Sequence, residues 1–364
     1  MQRPVAYWLF TVAGMILVMI VLGGVTRLTG SGLSIMEWAP LMGTLPPLSE
    51  AEWQRLFSLY QKIPQYELVN HGFGLEGFKS IFWLEWSHRL WGRLIGIVFL
   101  VPLLWFWATG RVTRGLLKRL AVFFVLGGLQ GAVGWFMVAS GFFPDSTAVS
   151  PYRLVVHLGL ALVLYAAIVW TGLSVLAVPA SLPSWSGLTR PSQAHGIKMV
   201  GSSPTMTGNF RRLVQLGTAL VALTIVAGGF VAGLHAGLTY NTFPLMDGAL
   251  IPAGYADLHP FVRNLTENIA AVQFDHRLLA TMTLLTATAT LALGWRDETL
   301  RPRLLALGIA VLAQYALGIA TLLSVVPVGL AAMHQAGAAL LLTAQLVVLH
   351  ALSGTGQTPP NTPS

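Results

Sequence analysis

The chain has 364 residues, of which 55% are hydrophobic and 9% are charged. This composition, with its long windows free of charge, excludes a soluble domain and indicates an integral membrane protein. The net charge of +8 needs no nucleic-acid partner, because basic loops and attraction to anionic lipid explain it. The absence of cysteine excludes disulfides, iron–sulfur clusters and thiolate-ligated or covalently attached haem.

Eight apolar windows are long enough to cross the bilayer core, which needs about 20 helical residues. None alternates polar and apolar residues, so a β-barrel is excluded. Val326-Pro327 separates the last two windows, because proline lacks the donor N–H and disfavours helix at the residue before it. In chain order the windows are Ala6 to Thr26, Trp86 to Ala108, Lys118 to Ser140, Leu154 to Val178, Leu213 to Leu234, Phe274 to Trp295, Leu304 to Leu323 and Val328 to Leu349.

The distribution of lysine and arginine predicts the orientation. If the N-terminus is cytoplasmic, most of the 21 basic residues lie in the short inner loops, and the outer loops are much longer. This bias predicts that both termini are cytoplasmic. The first window begins at Ala6, with no removable signal or transit peptide before it, which favours a bacterial inner membrane.

An internal repeat divides the chain into two similar halves. GGVTRLTGSGLS (23–34) matches GGFVAGLHAGLT (228–239), and three later pairs keep the same order: His88 with His276, Gln130 with Gln314, and His157 with His334. Because each half has an even number of spans, the repeats run parallel, about an axis along the membrane normal. The predicted fold is an all-α integral membrane protein with eight transmembrane helices, arranged as two parallel-repeat four-helix bundles.

The repeat also predicts domain boundaries. Residues 1–178 form the N-terminal bundle, and residues 210–352 form the C-terminal bundle. Between them, residues 179–209 form a cytoplasmic linker rich in serine, proline and glycine. Residues 353–364 form a disordered tail.

Four histidines occupy repeat-matched places near the outer ends of every second span: His88, His157, His276 and His334. An imidazole inside a bundle must hydrogen-bond, bind metal or titrate. One such residue alone is compatible with a hydrogen-bonded bundle histidine. Four in matched places predict axial ligation of two haems, one in each half, since facing helices hold haem in this way.

Other metals fit the pattern less well. A di-iron site needs paired glutamates and Glu-x-x-His motifs on facing helices, and only Glu85 to His88 has that spacing, with Gln273 at the matched position. Zinc needs three or four converging ligands, which a distribution of two plus two does not provide. His235 has Gly30 as its match and is left without a role.

Two repeat-matched arginines, Arg89 and Arg277, follow the first histidine of each half. They lie at the predicted outer ends, contrary to the positive-inside bias. We therefore expect them to bind haem propionates. The alternative is that they extend towards lipid headgroups.

A carboxylate distinguishes the two halves. Glu85 stands three residues before His88, on the same helical face, whereas Gln273 holds that place before His276. This difference predicts that the chemistry occurs in the first half. The alternative is a surface salt bridge from Glu85 to Arg89 or Arg93.

Several motifs together resemble the haem A synthase family, over nearly the whole chain from Tyr7 to His350. They are GGVTRLTGSGLSIMEW, EWSHR, LGGLQGAVGWFMVASG, VSPYRLVVHLG, AGLHAGLTYNTFPLMDG, FDHR and the final HQ. The resemblance implies an eight-helix enzyme that oxidises a ring methyl of haem O to a formyl group, giving haem A for the terminal oxidase. The absence of cysteine places the chain with the class shared by proteobacteria and mitochondria.

The resemblance also implies the site and the partners. His88 and His157 would face the substrate, haem O, while His276 and His334 would hold a resident haem b. Haem O would come laterally from haem O synthase, the protohaem farnesyltransferase, and the product would go to the cytochrome oxidase assembly machinery.

Ligation by both histidines of the first pair would leave no axial position for dioxygen. This favours stepwise electron removal from the haem edge, with water as the oxygen source and an unidentified electron acceptor. Glu85 would act as proton acceptor or as nucleophile. Two other classes stay open on the residues alone: a dihaem b-type electron-transfer protein of the quinone oxidoreductase type, which would not need Glu85, and a transporter, which would bind no pigment.

Overall fold

A computed structural model describes residues 3–39, 42–177 and 204–353. Within these ranges the chain is helical and contains no β-strand. Eight helices of the described chain, α1, α4 to α7 and α9 to α11, are long and apolar enough to cross a membrane. The helices are α1 (Arg3–Leu28), α2 (Glu50–Tyr60), α3 (Pro64–Leu68), α4 (Leu75–Ala108), α5 (Arg114–Val138), α6 (Pro151–Ala177), α7 (Pro204–Gly233), α8 (Asn264–Glu267), α9 (Ile269–Gly294), α10 (Arg301–Leu323) and α11 (Val328–Ser353).

The predicted class, an all-α membrane protein with eight spans, is therefore confirmed, while the division into two bundles stays a prediction. α7 begins at Pro204, inside the range predicted as linker. Residues 178–203 and 354–364, which hold the rest of the linker and nearly all of the tail, lie outside the described residues.

The second span is longer than its apolar window. α4 has 34 residues, or about 50 Å at 1.5 Å per residue, so it extends beyond the bilayer core. Its first turns pack on α2, whose Trp53 and Phe57 are buried against Phe78 and Phe82 of α4. α2 begins at a serine cap, Ser49, whose hydroxyl accepts from the Glu52 N–H at 3.3 Å. The loop between α1 and α4 thus forms a folded cap on α4.

The two halves share one hydrophobic core. α1 packs on α4 and α6 of its own half and on α11 of the other, and α6 also packs on α7 and α11. Polar contacts cross the same boundary: Gln335 Nε2 donates to Ile20 O at 3.0 Å, and the Tyr165 and Thr343 hydroxyls lie 2.6 Å apart. The histidine-bearing helices are thus held in a single packed unit.

The repeat persists in the backbone after the first helix of each half. A short 3₁₀ turn follows α1 at Ser31–Leu33 and follows α7 at Ala236–Leu238. The residue before each turn is left-handed, Gly30 with φ 68° and His235 with φ 55°. Glycine takes this conformation at no steric cost, whereas other residues lose about 1–2 kcal/mol. His235 therefore replaces the residue type that this turn favours.

Candidate functional site

In the first half, glycines bring neighbouring helices against the two imidazoles. His88 lies on α4 and His157 on α6. A Cβ added at Gly23 of α1 would lie 3.0 Å from His88 Cε1, and one at Gly134 of α5 would lie 2.9 Å from His157 Cε1. Any larger side chain at either glycine would push an imidazole out of place.

The second half repeats this arrangement. A Cβ at Gly228 of α7 would lie 3.0 Å from His276 Cε1, and one at Gly318 of α10 would lie 2.8 Å from His334 Cε1. All four histidines are half-buried. Each thus sits between helices with one ring edge against a glycine backbone, and this arrangement is the same in both halves.

The second pair has a geometry that suits a single metal. The ring centroids of His276 and His334 are 6.4 Å apart, with their planes nearly perpendicular at 89°. Imidazole nitrogens bind metals at roughly 2.0–2.1 Å, so two imidazoles on opposite sides of one ion have ring centres about 6 Å apart. No cluster of three or more His, Asp or Glu side chains that could hold a metal occurs in the described residues. The arrangement therefore fits axial ligation and not a zinc or di-iron centre.

Hydrogen bonds fix the imidazoles of the second pair. The Nδ1 atom of His276 lies 3.0 Å from Thr224 O. A carbonyl can only accept, so Nδ1 carries the proton and Nε2 is free to bind a metal. Gln314 holds the other ring: its Nε2 lies 3.1 Å from His334 Nδ1 and donates to His334 O at 2.9 Å.

In the first pair, hydrogen bonds position only one of the two imidazoles. Gln130 Nε2 lies 3.1 Å from His157 Nδ1 and donates to His157 O at 2.8 Å, as Gln314 does in the other half. By contrast, His88 Nδ1 is buried and has no hydrogen-bond partner within the described chain. The spacing of the two glutamines in the sequence matches them to each other but indicates no role for them. The structure shows that they orient the second histidine of each pair.

Glu85 is a buried and fully bonded carboxylate. The residue is 2% exposed, and its Oε2 accepts from Ser34 Oγ and from the Ile35 N–H, both at 2.8 Å. Oε1 accepts from Arg89 Nη2 at 2.6 Å and from Arg89 Nε at 3.0 Å. The salt-bridge alternative therefore named the right partner, Arg89, but was wrong to place the pair on the surface.

Gln273 holds the matched place in the second half, where its side chain donates to the turn instead of accepting from it. Its Nε2 donates to Ala236 O at 2.8 Å and to Thr239 O at 2.7 Å, and its Oε1 accepts from Arg277 Nη2 at 2.9 Å. The turn after α1 thus presents donors to a carboxylate, whereas the turn after α7 presents acceptors to an amide. Each turn is matched to its own side chain.

The two candidate propionate arginines also bind the outer loops. Arg89 donates to Glu37 O and Ile35 O, each at 2.8 Å. Arg277 donates to Thr242 O at 2.9 Å and to Tyr240 O at 2.6 Å. Both guanidinium groups therefore join a loop to the helix that carries the first histidine of the half.

Comparisons with known proteins show the family. The family model described as cytochrome oxidase assembly protein matches residues 6–346. A heme A synthase of Granulibacter bethesdensis is 63% identical, over 97% of this chain and 88% of its own length. Those of Rhodospirillum centenum and Nitrosospira multiformis are 48% and 47% identical, over 99% and 96% of this chain and 90% and 94% of their own lengths.

The chain belongs to the haem A synthase family. The region matched by the family model covers nearly all of both halves. The repeat-matched histidines, Glu85 and the two glutamines all lie within it. The predicted family is confirmed.

Proposed function

We propose that this protein is a membrane-embedded haem A synthase, which oxidises the ring methyl of haem O to a formyl group and so supplies haem A for cytochrome oxidase assembly. One observation carries the proposal: two matched imidazole pairs lie in one helical core, with a buried carboxylate three residues before the first histidine of only one pair. Membership of the haem A synthase family supports the same reaction.

His276 and His334 are the proposed ligands of a resident haem b. Their centroid separation of 6.4 Å suits one iron between them. Thr224 O accepts from His276 Nδ1 at 3.0 Å, and such an outer acceptor raises the affinity of imidazole for a metal. Gln314 lies beside the His334 ring and donates to His334 O, which fixes its position. A group held by two fixed ligands is suited to remain bound through many turnovers.

His88 and His157 are the proposed ligands of haem O. This haem must bind and leave in every cycle, so one weaker ligand is an advantage. His88, whose Nδ1 has no partner in the described chain, is that ligand, because imidazole without an outer acceptor is a weaker donor. The contrast between the pairs supports the half assignment independently of Glu85.

Glu85 is the proposed acid–base group. The bound haems supply the redox chemistry, and water supplies the oxygen atom. Glu85 accepts the proton released at the reacting methyl carbon, or bonds to that carbon transiently. Because all its described hydrogen bonds come from Ser34, Ile35 and Arg89, one of these must open first. The hydroxyl of Ser34 is the uncharged side chain among them and can rotate away.

Arg89 and Arg277 are the proposed partners of the haem propionates. Both side chains lie beside the first histidine of their half, and Arg277 Nε is buried without a partner in the described chain. In this proposal the same guanidinium groups bind the loop and the carboxylate edge of the haem.

The setting is proposed to be a bacterial inner membrane with both termini in the cytoplasm, as the bias of basic residues indicates. Haem O synthase delivers the substrate, and the oxidase assembly machinery receives the product. The electron acceptor is a further partner.

The experiment is haem analysis of matched histidine variants, purified in membranes. His276→Ala is expected to remove the haem b spectrum, whereas its repeat match, His88→Ala, is expected to keep haem b and make no haem A. Acid extraction and chromatography then identify the haems. Haem b at both sites of the wild type, with no haem A formed, would instead indicate a dihaem electron carrier. The absence of pigment would indicate a transporter.

A further inference from the structure

The two halves differ in how tightly their second and third spanning helices pack. α9 and α10 contact each other much more extensively than α4 and α5. The hydroxyls of Thr281 on α9 and Tyr315 on α10 also lie 3.0 Å apart, within hydrogen-bond distance. The second half is therefore closed between these helices.

In the first half, ring contacts join α4 and α5 at two separated places. Near one end, the Arg89 guanidinium lies 5.6 Å from the centroid of the Trp135 ring. Further along, Phe99 and Phe124 stack with centroids 6.2 Å apart. Ten to eleven residues separate the two contacts on each helix, which is about 15 Å of helix length.

Glycines occupy the stretch between these contacts: Gly96 on α4, and Gly128 and Gly131 on α5. We call this stretch the α4–α5 window. A Cβ added at any of the three would have no other atom within 4 Å. Their spacing from Phe99, Phe124 and Trp135 places them on the same helix faces as the two aromatic contacts. The window is therefore an opening between two points where the helices touch.

The repeat fills the same places with larger side chains. Gly96 corresponds to Leu284, Gly128 to Leu312 and Gly131 to Tyr315. Leu284 packs against the hydrophobic core, and Tyr315 makes the contact to Thr281. Two of the three matched residues, Leu284 and Tyr315, thus make contacts that glycine cannot make, whereas Leu312 is 60% exposed.

A second observation points to what passes through the window. Gly131 stands one helical turn before Gly134 on α5, and a Cβ added at Gly134 would lie 2.9 Å from His157 Cε1. The Nδ1 of His88 and the Oε1 of Gln130 are buried without hydrogen-bond partners within the described chain. The opening therefore leads to the imidazole pair that has one unheld ligand.

We propose that haem O enters the first half, and its product leaves, through the α4–α5 window, directly from and to the lipid. This inference rests on the proposed function. The substrate is a large macrocycle with a long apolar tail, which favours a path through hydrocarbon over one through water. The closed counterpart in the second half keeps the resident haem in place.

The test is to close the window with the residues of the second half. Gly131→Tyr copies Tyr315, and Gly96→Leu closes the opposite side, so the result does not depend on one helix. Gly115→Leu is the matched control, because Gly115 also lies on α5 with nothing within 4 Å of an added Cβ, but outside the window. Each protein, carrying haem b in nanodiscs, is mixed with vesicles that contain haem O, and binding is followed by absorbance.

Both window variants are expected to take up and release haem O about tenfold more slowly, as one added step of about 1.4 kcal/mol would cause. The dissociation constant and the haem b content are expected to stay at the wild-type values, and Gly115→Leu is expected to behave as wild type. Unchanged rates of haem O uptake and release in both window variants would overturn the proposal that haem O passes through the α4–α5 window. A raised dissociation constant with an unchanged association rate would also overturn it, since the glycines would then line the binding site and not the route. If wild type itself takes up no haem O, both the window and the proposed function are wrong.

Discussion

Among single residues, Glu85 and Gln273 differ only in having a carboxylate or an amide at matched positions of the repeat. Both are 2% exposed and both bind the arginine four residues later. Glu85 accepts from the turn before it, whereas Gln273 donates to its own turn. A carboxylate can act as a general base or as a nucleophile, whereas an amide cannot, so the difference between the halves is chemical as well as structural.

Replacing Glu85 by Gln is expected to lower haem A formation by about a hundredfold or more, the usual contribution of an acid–base group. Haem O or the half-oxidised alcohol should accumulate, because the histidine ligands are untouched. Extraction and chromatography of the haems measure this, with Glu76→Gln, an exposed carboxylate on the same helix, as control. Near-normal conversion would show that Glu85 only holds the loop. Accumulation of the alcohol would place Glu85 in the second oxidation.

Replacing Gln314 by Leu is expected to weaken haem b binding by about 10- to 100-fold, the usual loss when an outer partner of a metal ligand is removed. The reason is that His334 would lose the side chain that orients its ring. Gln130→Leu is the matched control and should weaken haem O binding while leaving haem b in place. Titration of the haem-free protein measures both. Equal haem b affinity in both variants would exclude an orienting role for Gln314.

Between elements, close packing of α1 on α11 joins the two halves. A Cβ at Gly24 would overlap the side chain of Gln335, which is bonded to the α1 carbonyl of Ile20. Gln335 directly follows His334, and Gly24 directly follows the glycine that touches His88. The contact between α1 and α11 therefore lies one residue from the glycine beside His88 and one residue from His334.

Gly24→Leu is expected to destabilise the protein by about 1–3 kcal/mol or more, because it overpacks a filled interface. Gly14→Leu on the same helix is the control, since nothing lies within 4 Å of a Cβ there. Thermal unfolding in detergent compares the two. Equal midpoints would mean that α1 and α11 separate without cost.

A polar contact outside the membrane also joins the halves. The Tyr152 hydroxyl at the start of α6 donates to Glu267 Oε1 at 2.7 Å, and Arg263 binds the other oxygen of Glu267. The hydrogen bond from Arg263, and then that from Tyr152, hold the pKa of Glu267 below its usual 4.5. The carboxylate is therefore stabilised in its charged form in the folded state.

This shift predicts an acid dependence of stability. A lowered pKa stabilises the fold above the unfolded pKa, and that contribution is lost as the pH falls through the folded pKa. Glu267→Gln is expected to be less stable at neutral pH and to lose less stability between neutral pH and acid than wild type. Unfolding midpoints across this range measure the effect, with Tyr152→Phe expected to show a smaller change in the same direction. Parallel pH profiles for wild type and Glu267→Gln would contradict it.

For the whole molecule, the orientation in the membrane decides which side the histidine pairs face. The pairs lie in the N-terminal halves of α4, α6, α9 and α11, towards the side of the molecule that carries the long loops after α1 and α7. Those loops carry fewer basic residues for their length than the others. The predicted arrangement places both haem sites towards the outer face, away from the cytoplasm.

Reporter fusions test this arrangement. Alkaline phosphatase fused after Ser353 is expected to be inactive and a fluorescent protein there to be bright, because the C-terminus is predicted to be cytoplasmic. Phosphatase inserted in the loop between α5 and α6 is the matched control and should be active. The reverse pattern would invert the topology and place both histidine pairs at the cytoplasmic face.

The sequence alone determined the features that depend on local composition and on the repeat. Hydropathy identified the eight spans, because a helix in lipid must satisfy its own backbone and present apolar side chains. Matched spacing identified the four histidines and the carboxylate that one half has and the other lacks. Motifs along the chain identified the family, which the comparisons confirmed.

Only the tertiary structure decided how these residues are connected. Ser34 and Glu85 are 51 residues apart, and Ile20 and Gln335 are 315 apart, so their hydrogen bonds leave no local pattern. The same holds for the unpartnered Nδ1 of His88 and for the opening between α4 and α5. The physical reason is that periodicity reports which face of a helix is apolar, whereas hydrogen-bond partners and gaps depend on where other helices pack against that face.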